Sequence, residues 1–131
     1  MDNIQEIIVN RKLPIIEAIE RLHDAHKRII LVADEEMRLL GIVTDSNIRH
    51  AVLQKSDLSL SISDIMVTHP VVVNPDMPNA DVLTLMERTQ AYQIPVILKD
   101  GTIVGVHFVD ELLREKGKKE NRTAVIMAGG M

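Results

Sequence analysis

The residue types best suited to chemistry in this chain are Thr44 and Asn47, which follow a predicted strand and open a predicted helix. A threonine at a helix start, with an amide side chain three residues later, is good helix-capping chemistry by itself. The same helix start presents backbone N–H groups that can meet an anion, and an amide one turn later can bridge two vicinal hydroxyls. The spacing therefore leaves two alternatives open: a helix cap without a ligand, and a ligand-binding site.

Other polar side chains give weaker signals. His23 and His26 are three residues apart on a predicted helix and could bind a metal, but a coincidence of surface residues is the commoner explanation, so no metal site is predicted. His50 follows on the same predicted helix as Thr44 and could face a phosphate, although compensation of the helix dipole explains it as well. No nucleophile–base or carboxylate pair has a credible spacing, so we predict no catalytic residues and no enzyme activity.

The elements around these residues occur twice, because the sequence repeats itself without a gap at an offset of 64 residues. Residues 9–50 can be aligned with residues 73–114. Identical residues recur at several matched positions: Val9/Val73, Asn10/Asn74, Pro14/Pro78, Ile30/Ile94, Val32/Val96 and Gly41/Gly105. Two copies of one unit in a single chain imply pseudo-twofold symmetry and two related clefts between the copies.

Each copy is predicted to run strand–helix–strand–strand–helix, so the fold class is α/β with two β-α-β-β-α units. The predicted strands are 7–9, 28–32 and 39–44, then 71–73, 94–98 and 102–106. The predicted helices are 14–26, 45–54, 78–90 and 109–115, with one helical turn at 62–66. The predicted domains are residues 1–58, residues 59–116 and a C-terminal segment, 117–131, whose first part is a solvated linker.

The hairpin that ends in Gly-Ile-Val-Thr-Asp-Ser-Asn-Ile (41–48) is repeated as Gly-Val-His-Phe-Val-Asp-Glu-Leu (105–112), and this pattern resembles the CBS domain. Over about residues 5–115 the tandem resembles a CBS pair, or Bateman module. Members of that family are mostly regulatory modules that bind AMP, ADP, ATP or S-adenosylmethionine between their two units and often dimerise. The resemblance implies a similar adenosine-binding cleft and a homodimer here.

The resemblance also implies roles for individual residues. Gly41 would allow a close backbone approach, and Ile42 would pack against the base. Thr44 would bind near the phosphate–ribose side of the ligand, and Asn47, which stands where Asp is more usual, would bind the ribose hydroxyls. The complete predicted ligand-binding set is Gly41, Ile42, Thr44, Asn47, His50, Val106 and Glu111.

The second copy departs from the family pattern. Phe108 stands at the threonine position and Glu111 at the aspartate position. Phe108 removes a hydroxyl and adds bulk at the mouth of the cleft. We therefore predict that only the site carrying Thr44 and Asn47 binds a ligand.

The last residues, Thr-Ala-Val-Ile-Met-Ala-Gly-Gly-Met (123–131), do not belong to the repeat. Ala124 to Met127 is predicted to be a buried parallel strand, and Gly129 and Gly130 open a glycine-rich loop of the kind that approaches phosphates. This segment resembles the first strand and the start of the signature loop of sugar-phosphate nucleotidyltransferases. The resemblance implies that the chain is the regulatory region of such an enzyme, and the alternative is a chance apolar segment.

Composition excludes several classes of protein. The chain has 131 residues and no cysteine, which excludes disulfides and thiolate metal sites. A net charge of −4 and only two aromatic residues, Tyr92 and Phe108, argue against a nucleic-acid partner. No apolar run approaches the length of about 20 residues that spans a bilayer, and the polar start is no secretion signal. We predict a cytoplasmic protein without a membrane partner.

The function predicted from the sequence is regulatory. A CBS pair would bind an adenine nucleotide, need no other cofactor, and modulate an attached sugar-phosphate nucleotidyltransferase. The alternative is a ligand-free dimerisation scaffold for that enzyme.

Overall fold

The chain folds as two copies of one α/β unit, as the repeat predicted. The computed structural model describes residues 4–25, 28–54 and 57–117. The first copy contains β1 (Ile8–Asn10), α1 (Ile15–Ala25), β2 (Ile29–Ala33), β3 (Leu39–Thr44) and α2 (Asp45–Leu53). The second contains α3 (Asn79–Thr89), β4 (Gln93–Ile97), β5 (Ile103–Phe108) and α4 (109–117). Two short 3₁₀ turns lie at Ile4–Ile7 and Ile62–Asp64.

The strand register repeats at the same offset as the sequence. In the first sheet, in the order β1-β2-β3, β1 pairs parallel to β2 with Val9 opposite Val32. In the second sheet β4 pairs antiparallel to β5, and Val73 forms a parallel bridge to Val96. Each hairpin also has one irregularity, between Val32 and Ala33 in the first and at the matched position in the second. The two sheets are therefore built on one hydrogen-bonding plan.

The buried apolar side chains form three clusters. All five residues of β2 are buried, because its two faces are both covered. Ile30 and Val32 point to a cluster that includes α1, whereas Ile29 and Leu31 point to a central cluster. The central cluster joins both units, since Ile103 of β5 is buried in it. A third cluster lies between α3, α4 and the second sheet.

The pseudo-twofold axis passes between the two hairpin turns. The amide of Leu39 donates to the carbonyl of Gly101 at 2.9 Å, and the amide of Ile103 donates to the carbonyl of Met37 at 2.9 Å. Leu39 and Ile103 occupy matched positions of the repeat, 64 residues apart, and so do Met37 and Gly101. The pseudo-twofold axis therefore exchanges the two hydrogen bonds. Met37 and Gly101 also share a left-handed backbone, with φ of 66° and 95°. Symmetry-related residues thus make the same bonds in both directions.

Residues 57–72, which we call the connector between the copies, pack on the first unit. The amides of Ile15 and Ile16 donate to the carbonyls of Leu60 and Leu58 at 2.9 and 3.0 Å, which satisfies N–H groups at the start of α1. Ile62 is 0% exposed and lies in the core cluster of the first unit. The connector is therefore a wall of that unit and holds the residues that follow it in place.

Some predicted boundaries were wrong. The first strand begins at Ile8, because Ile7 ends a 3₁₀ turn that buries its side chain in the central cluster. Of the strand predicted at 71–73, only the Val73 bridge forms. Pro14 and Pro78 precede their helices, and their carbonyls accept the first helical bonds. The last helix was predicted at 109–115, and α4 continues to residue 117.

Candidate ligand-binding site

Thr44 and Asn47 form a reciprocal helix cap at the junction of β3 and α2. Asn47 Oδ1 accepts the amide of Thr44 at 2.8 Å and the hydroxyl of Thr44 at 3.0 Å. Thr44 itself has an extended backbone, with φ −116° and ψ 172°, as an N-cap requires. Both side chains are partly exposed, so a ligand can reach them. This geometry fits the helix-cap alternative. The Thr44 hydroxyl can still exchange Asn47 for a ligand atom as its hydrogen-bond partner.

Gly41 allows the connector to approach β3 closely. A Cβ at Gly41 would lie 2.7 Å from the Val67 carbonyl oxygen and 2.8 Å from Met66 Sδ. Val67 exchanges two backbone hydrogen bonds with Ile42, at 3.0 and 2.8 Å. Val67 is 38% exposed. The connector thus runs along β3 just before Thr44 and forms a wall beside the predicted site.

Ile42 and Val106 meet in the central cluster between the two sheets. Ile42 is 9% exposed, and Val106 packs against the same cluster while partly buried. The two residues occupy matched positions of the repeat, and each lies two residues before its helix cap position. The structure therefore places the apolar part of the predicted site at the seam of the two units.

The remaining predicted residues lie apart from this group. His50 is exposed in the last turn of α2, where a basic side chain suits the helix dipole. Glu111 lies on α4 and lines a cavity of about 400 Å³ together with Phe108 and Arg114. Arg28 and Tyr92, which occupy matched positions of the repeat, also line that cavity. Of the seven predicted residues, Glu111 therefore lies at this cavity, whereas Thr44 and Asn47 lie at the junction of β3 and α2.

Each unit also has one cavity between its two helices. The larger, of about 540 Å³, runs between α3 and α4 and is lined by Leu83, Leu112 and Leu113. Its counterpart between α1 and α2 has about 430 Å³. Leu113 is 52% exposed and Val52 on α2 is 51% exposed. These helix faces therefore present apolar surface outward.

His107 is a polar residue of the second unit at a position where the first unit has a buried valine. It is partly buried on β5, at the position matched by Val43, which is 0% exposed. Burial lowers the pKa of His107, and the nearby carboxylate of Glu115 opposes that effect. Glu115 also accepts a hydrogen bond from Asn79 Nδ2 at 3.0 Å. Burial of the ring therefore favours its neutral form.

The described residues contain no group of three or more His, Asp or Glu side chains that could hold a metal ion. His26, the partner of His23 in the weak metal pattern, lies outside the described residues, as does the predicted strand and glycine loop at 124–130. Among the helices that the structure describes, none has the length and apolarity that crossing a bilayer demands.

Sequence reasoning missed the walls of both clefts. Met66 and Val67 were overlooked because the repeat alignment stops at residue 50 and resumes at residue 73, so the connector has no matched segment. Arg28 and Tyr92 were overlooked because their side chains are unlike. Their matched positions immediately before a buried strand were the available signal.

The comparison with known proteins agrees with this architecture. The family model of the CBS domain matches residues 3–54 and 62–106. The chain therefore belongs to the CBS domain family, as a tandem pair.

Solved structures and a sequence relative resemble the chain. The CBS domain pair of protein MJ0100, in complex with 5-methylthioadenosine and S-adenosyl-L-methionine, has a TM-score of 0.77, 25% identity, and coverage of 86% of this chain and 89% of that one. CBSX2 in complex with AMP has a TM-score of 0.76, 21% identity, and coverage of 86% and 88%. Uncharacterized protein RP505 of Rickettsia prowazekii is 30% identical over 83 residues, or 63% of this chain. The chain spans 25% of the length of RP505.

Proposed function

We propose that this CBS pair is a regulatory module that binds an adenosine-containing ligand in the first cleft. The observation that carries the proposal is the position of Thr44 and Asn47. They cap α2 two residues beyond Ile42, which the connector holds through paired backbone bonds with Val67. An apolar wall and a polar helix start therefore adjoin at the seam of the units. The similarity to a CBS pair in complex with two adenosine derivatives supports that ligand class.

Each side chain has a role that its geometry permits. Val67, which is 38% exposed, offers apolar surface to the base, and Ile42, which is 9% exposed, contributes only its exposed edge. Asn47 accepts two bonds through Oδ1, and its amide group can donate to a ribose hydroxyl. The Thr44 hydroxyl and the free N–H groups of α2 face the phosphate side. Binding would replace the bond between Thr44 Oγ1 and Asn47 Oδ1, at a cost of about 1 kcal/mol.

Thermal unfolding with AMP, ATP and S-adenosylmethionine tests this proposal. A ligand at about 100 times its dissociation constant adds about 2.7 kcal/mol, which is several degrees for a chain of this size. We expect the shift to vanish in the Thr44→Ala, Asn47→Ala double variant. Asn47→Asp should retain it, because the carboxylate still accepts the Thr44 amide and can accept hydrogen bonds from ribose hydroxyls in place of the lost amide donor.

The same experiment decides between the proposal and its alternative. A ligand-free scaffold would remain a dimer and show no thermal shift with any of the three compounds. The exposed apolar faces of the helix pairs, including Leu113 and Val52, support dimerisation in either case. A shift that survives in the double variant would move the site away from Thr44 and Asn47.

The regulated partner is proposed to be a sugar-phosphate nucleotidyltransferase in the same polypeptide. The pattern Ala-Val-Ile-Met-Ala-Gly-Gly (124–130) supports this proposal. Binding in the cleft could alter the partner only by favouring one arrangement of the two units over another. We expect a chain that continues beyond residue 131 in its natural reading frame to release pyrophosphate from a nucleoside triphosphate when a sugar 1-phosphate is supplied. The sugar phosphate would displace the pyrophosphate and become joined to the nucleotide. If the extension lacks the continuation Gly-x-Gly-x-Arg of the signature loop, this part of the proposal fails.

A further inference from the structure

The groove between α3 and α4 extends further than its counterpart between α1 and α2. Its cavity of about 540 Å³ reaches Asn79 and Ala80 at the start of α3. The cavity of about 430 Å³ in the first unit does not reach the matched residues, Ile15 and Ile16. There the connector lies across the start of the helix, to which it is hydrogen-bonded. Within the described part of the chain, the matched end of the second unit is open.

The first two amides of α3 also differ from those of α1. Ile15 and Ile16 donate to carbonyls of the connector. Asn79 and Ala80 have no acceptor for their amides among the described residues. The first N–H groups of a helix have no partner inside the helix, so a side chain, water or another segment must accept them. The start of α3 therefore presents two donors at the open end of the groove.

A segment with the spacing of the connector follows α4 in the sequence. α2 ends at Leu53 and α4 ends at residue 117, which are matched positions of the repeat. Residues 118–126, which we call the tail segment, lie outside the described residues. At the repeat offset, Ile126 of the tail segment corresponds to Ile62 of the connector, which is 0% exposed. Each helix is therefore followed, at the same distance, by an isoleucine.

The groove and the tail segment also differ from the first unit in complementary ways. Glu115 lines the groove at a position where the first unit has Ala51. Glu87 and Lys116 are the other charged residues of the described lining, which is therefore net acidic. Arg122 stands in the tail segment where the connector has a leucine. An apolar position on each side has thus become charged, and a carboxylate in the groove favours a guanidinium in the segment that faces it.

We infer that the tail segment docks in the groove of the second unit, as the connector packs on the first. The carbonyls of Ala124 and Arg122 would accept the amides of Asn79 and Ala80, in the register by which the connector bonds to α1. Ile126 would enter the core at the place that corresponds to that of Ile62 in the first unit. The groove thus fits a basic, extended segment of this chain with an isoleucine four positions after an arginine.

Docking of the tail segment would bear on the proposed enzyme. Residues 124–126 belong to the pattern that supports a nucleotidyltransferase in the same polypeptide, where they would form a strand. One segment cannot pair with the groove and with the sheet of an enzyme at the same time, so the two positions would exclude each other. This consequence rests on the proposed function, whereas the docking itself does not.

Amide hydrogen exchange of the full chain, followed by NMR, tests the docking. We expect the amides of Asn79 and Ala80 to be protected like those of Ile15 and Ile16, because each pair would donate to a segment outside its helix. Ile126→Asp should speed exchange at Asn79 and Ala80 by at least about tenfold, since the apolar burial that holds the segment is lost. Unchanged protection at Ile15 and Ile16 would show that the first unit remains folded.

Thr123→Asp is the matched control for Ile126→Asp. Thr123 corresponds to Ser59 of the connector, which is exposed. The variant adds the same charge to the tail segment and should leave exchange at Asn79 and Ala80 unchanged. Equal acceleration by both substitutions would overturn the inference, because it would not depend on the side chain that enters the core.

The remaining outcomes also decide the inference. Unprotected amides at Asn79 and Ala80 in the wild-type chain overturn it, as does equal protection in wild type and Ile126→Asp. Protection that disappears on dilution would assign the groove to a second copy of the chain and overturn it too. Should Ile126→Asp fail to fold, Ile126→Ala decides: faster exchange at the two amides supports the docking, and unchanged exchange overturns it. No nucleotide is added, so failure here is separate from failure of the proposed function.

Discussion

Replacement of Ile62 by alanine should lower the free energy of unfolding by about 2–5 kcal/mol. Ile62 is 0% exposed and lies in the first unit's core with Ala18, Val32 and Val43. Alanine would remove most of that side chain and leave a cavity that the surrounding sheet and helix cannot fill completely. Because a domain of this kind is stable by only about 5–15 kcal/mol, the loss should be large in urea unfolding.

Leu60→Ala is the matched control for Ile62→Ala. Leu60 lies in the same connector and is 47% exposed, and it supports α1 through its backbone carbonyl, which the substitution keeps. Its change in unfolding free energy should stay within about 0.5 kcal/mol. Equal losses for the two variants would show that the connector acts as a flexible tether rather than as part of the first unit.

Replacement of Gly41 by alanine should destabilise the protein by about 1–3 kcal/mol through overpacking. The new methyl group would lie 2.7 Å from the carbonyl oxygen of Val67, an atom that accepts the amide of Ile42. The side chain of Met66 can move away, but the carbonyl cannot move without weakening that hydrogen bond. Thermal and urea unfolding should both report the loss.

Gly105→Ala provides the internal comparison. Gly105 occupies the matched position of the repeat, and a Cβ there would meet nothing within 4 Å among the described residues. Its φ is not positive, so alanine should be tolerated and can even stabilise by about 0.4–1 kcal/mol through the unfolded state. Similar losses for both variants would contradict the assignment of the Gly41 effect to the connector.

The repeat allowed most of the fold to be predicted from the sequence. Matched valines at 9 and 73, and at 32 and 96, preserve the same parallel pairing in both units. Buried side chains at alternate positions specify which face of a strand meets the core, and this information is local to the strand. The pairing of the two hairpins then follows from the shared geometry of the units.

The failures of prediction arose where tertiary contacts outweigh local preference. The β-branched run Val71-Val72-Val73 reads as a strand, yet only Val73 forms a bridge. Ile7 is drawn into a 3₁₀ turn by burial at the seam of the units. The Thr44–Asn47 cap could be predicted from spacing, whereas the approach of Val67 could not, because it depends on a contact between segments 25 residues apart in sequence.

The hydrogen bonds at the pseudo-twofold axis use only backbone atoms. Leu39, Gly101, Ile103 and Met37 contribute only amides and carbonyls to these two bonds, although the φ of 95° at Gly101 favours glycine there and Ile103 is buried. Arg38 faces Thr102 there, and neither residue type is dictated by the bridge that they form. A joint made of backbone bonds can therefore persist while the two halves of the repeat differ in other side chains. Divergence between the halves, as at Thr44 and Phe108, has little structural cost at the axis.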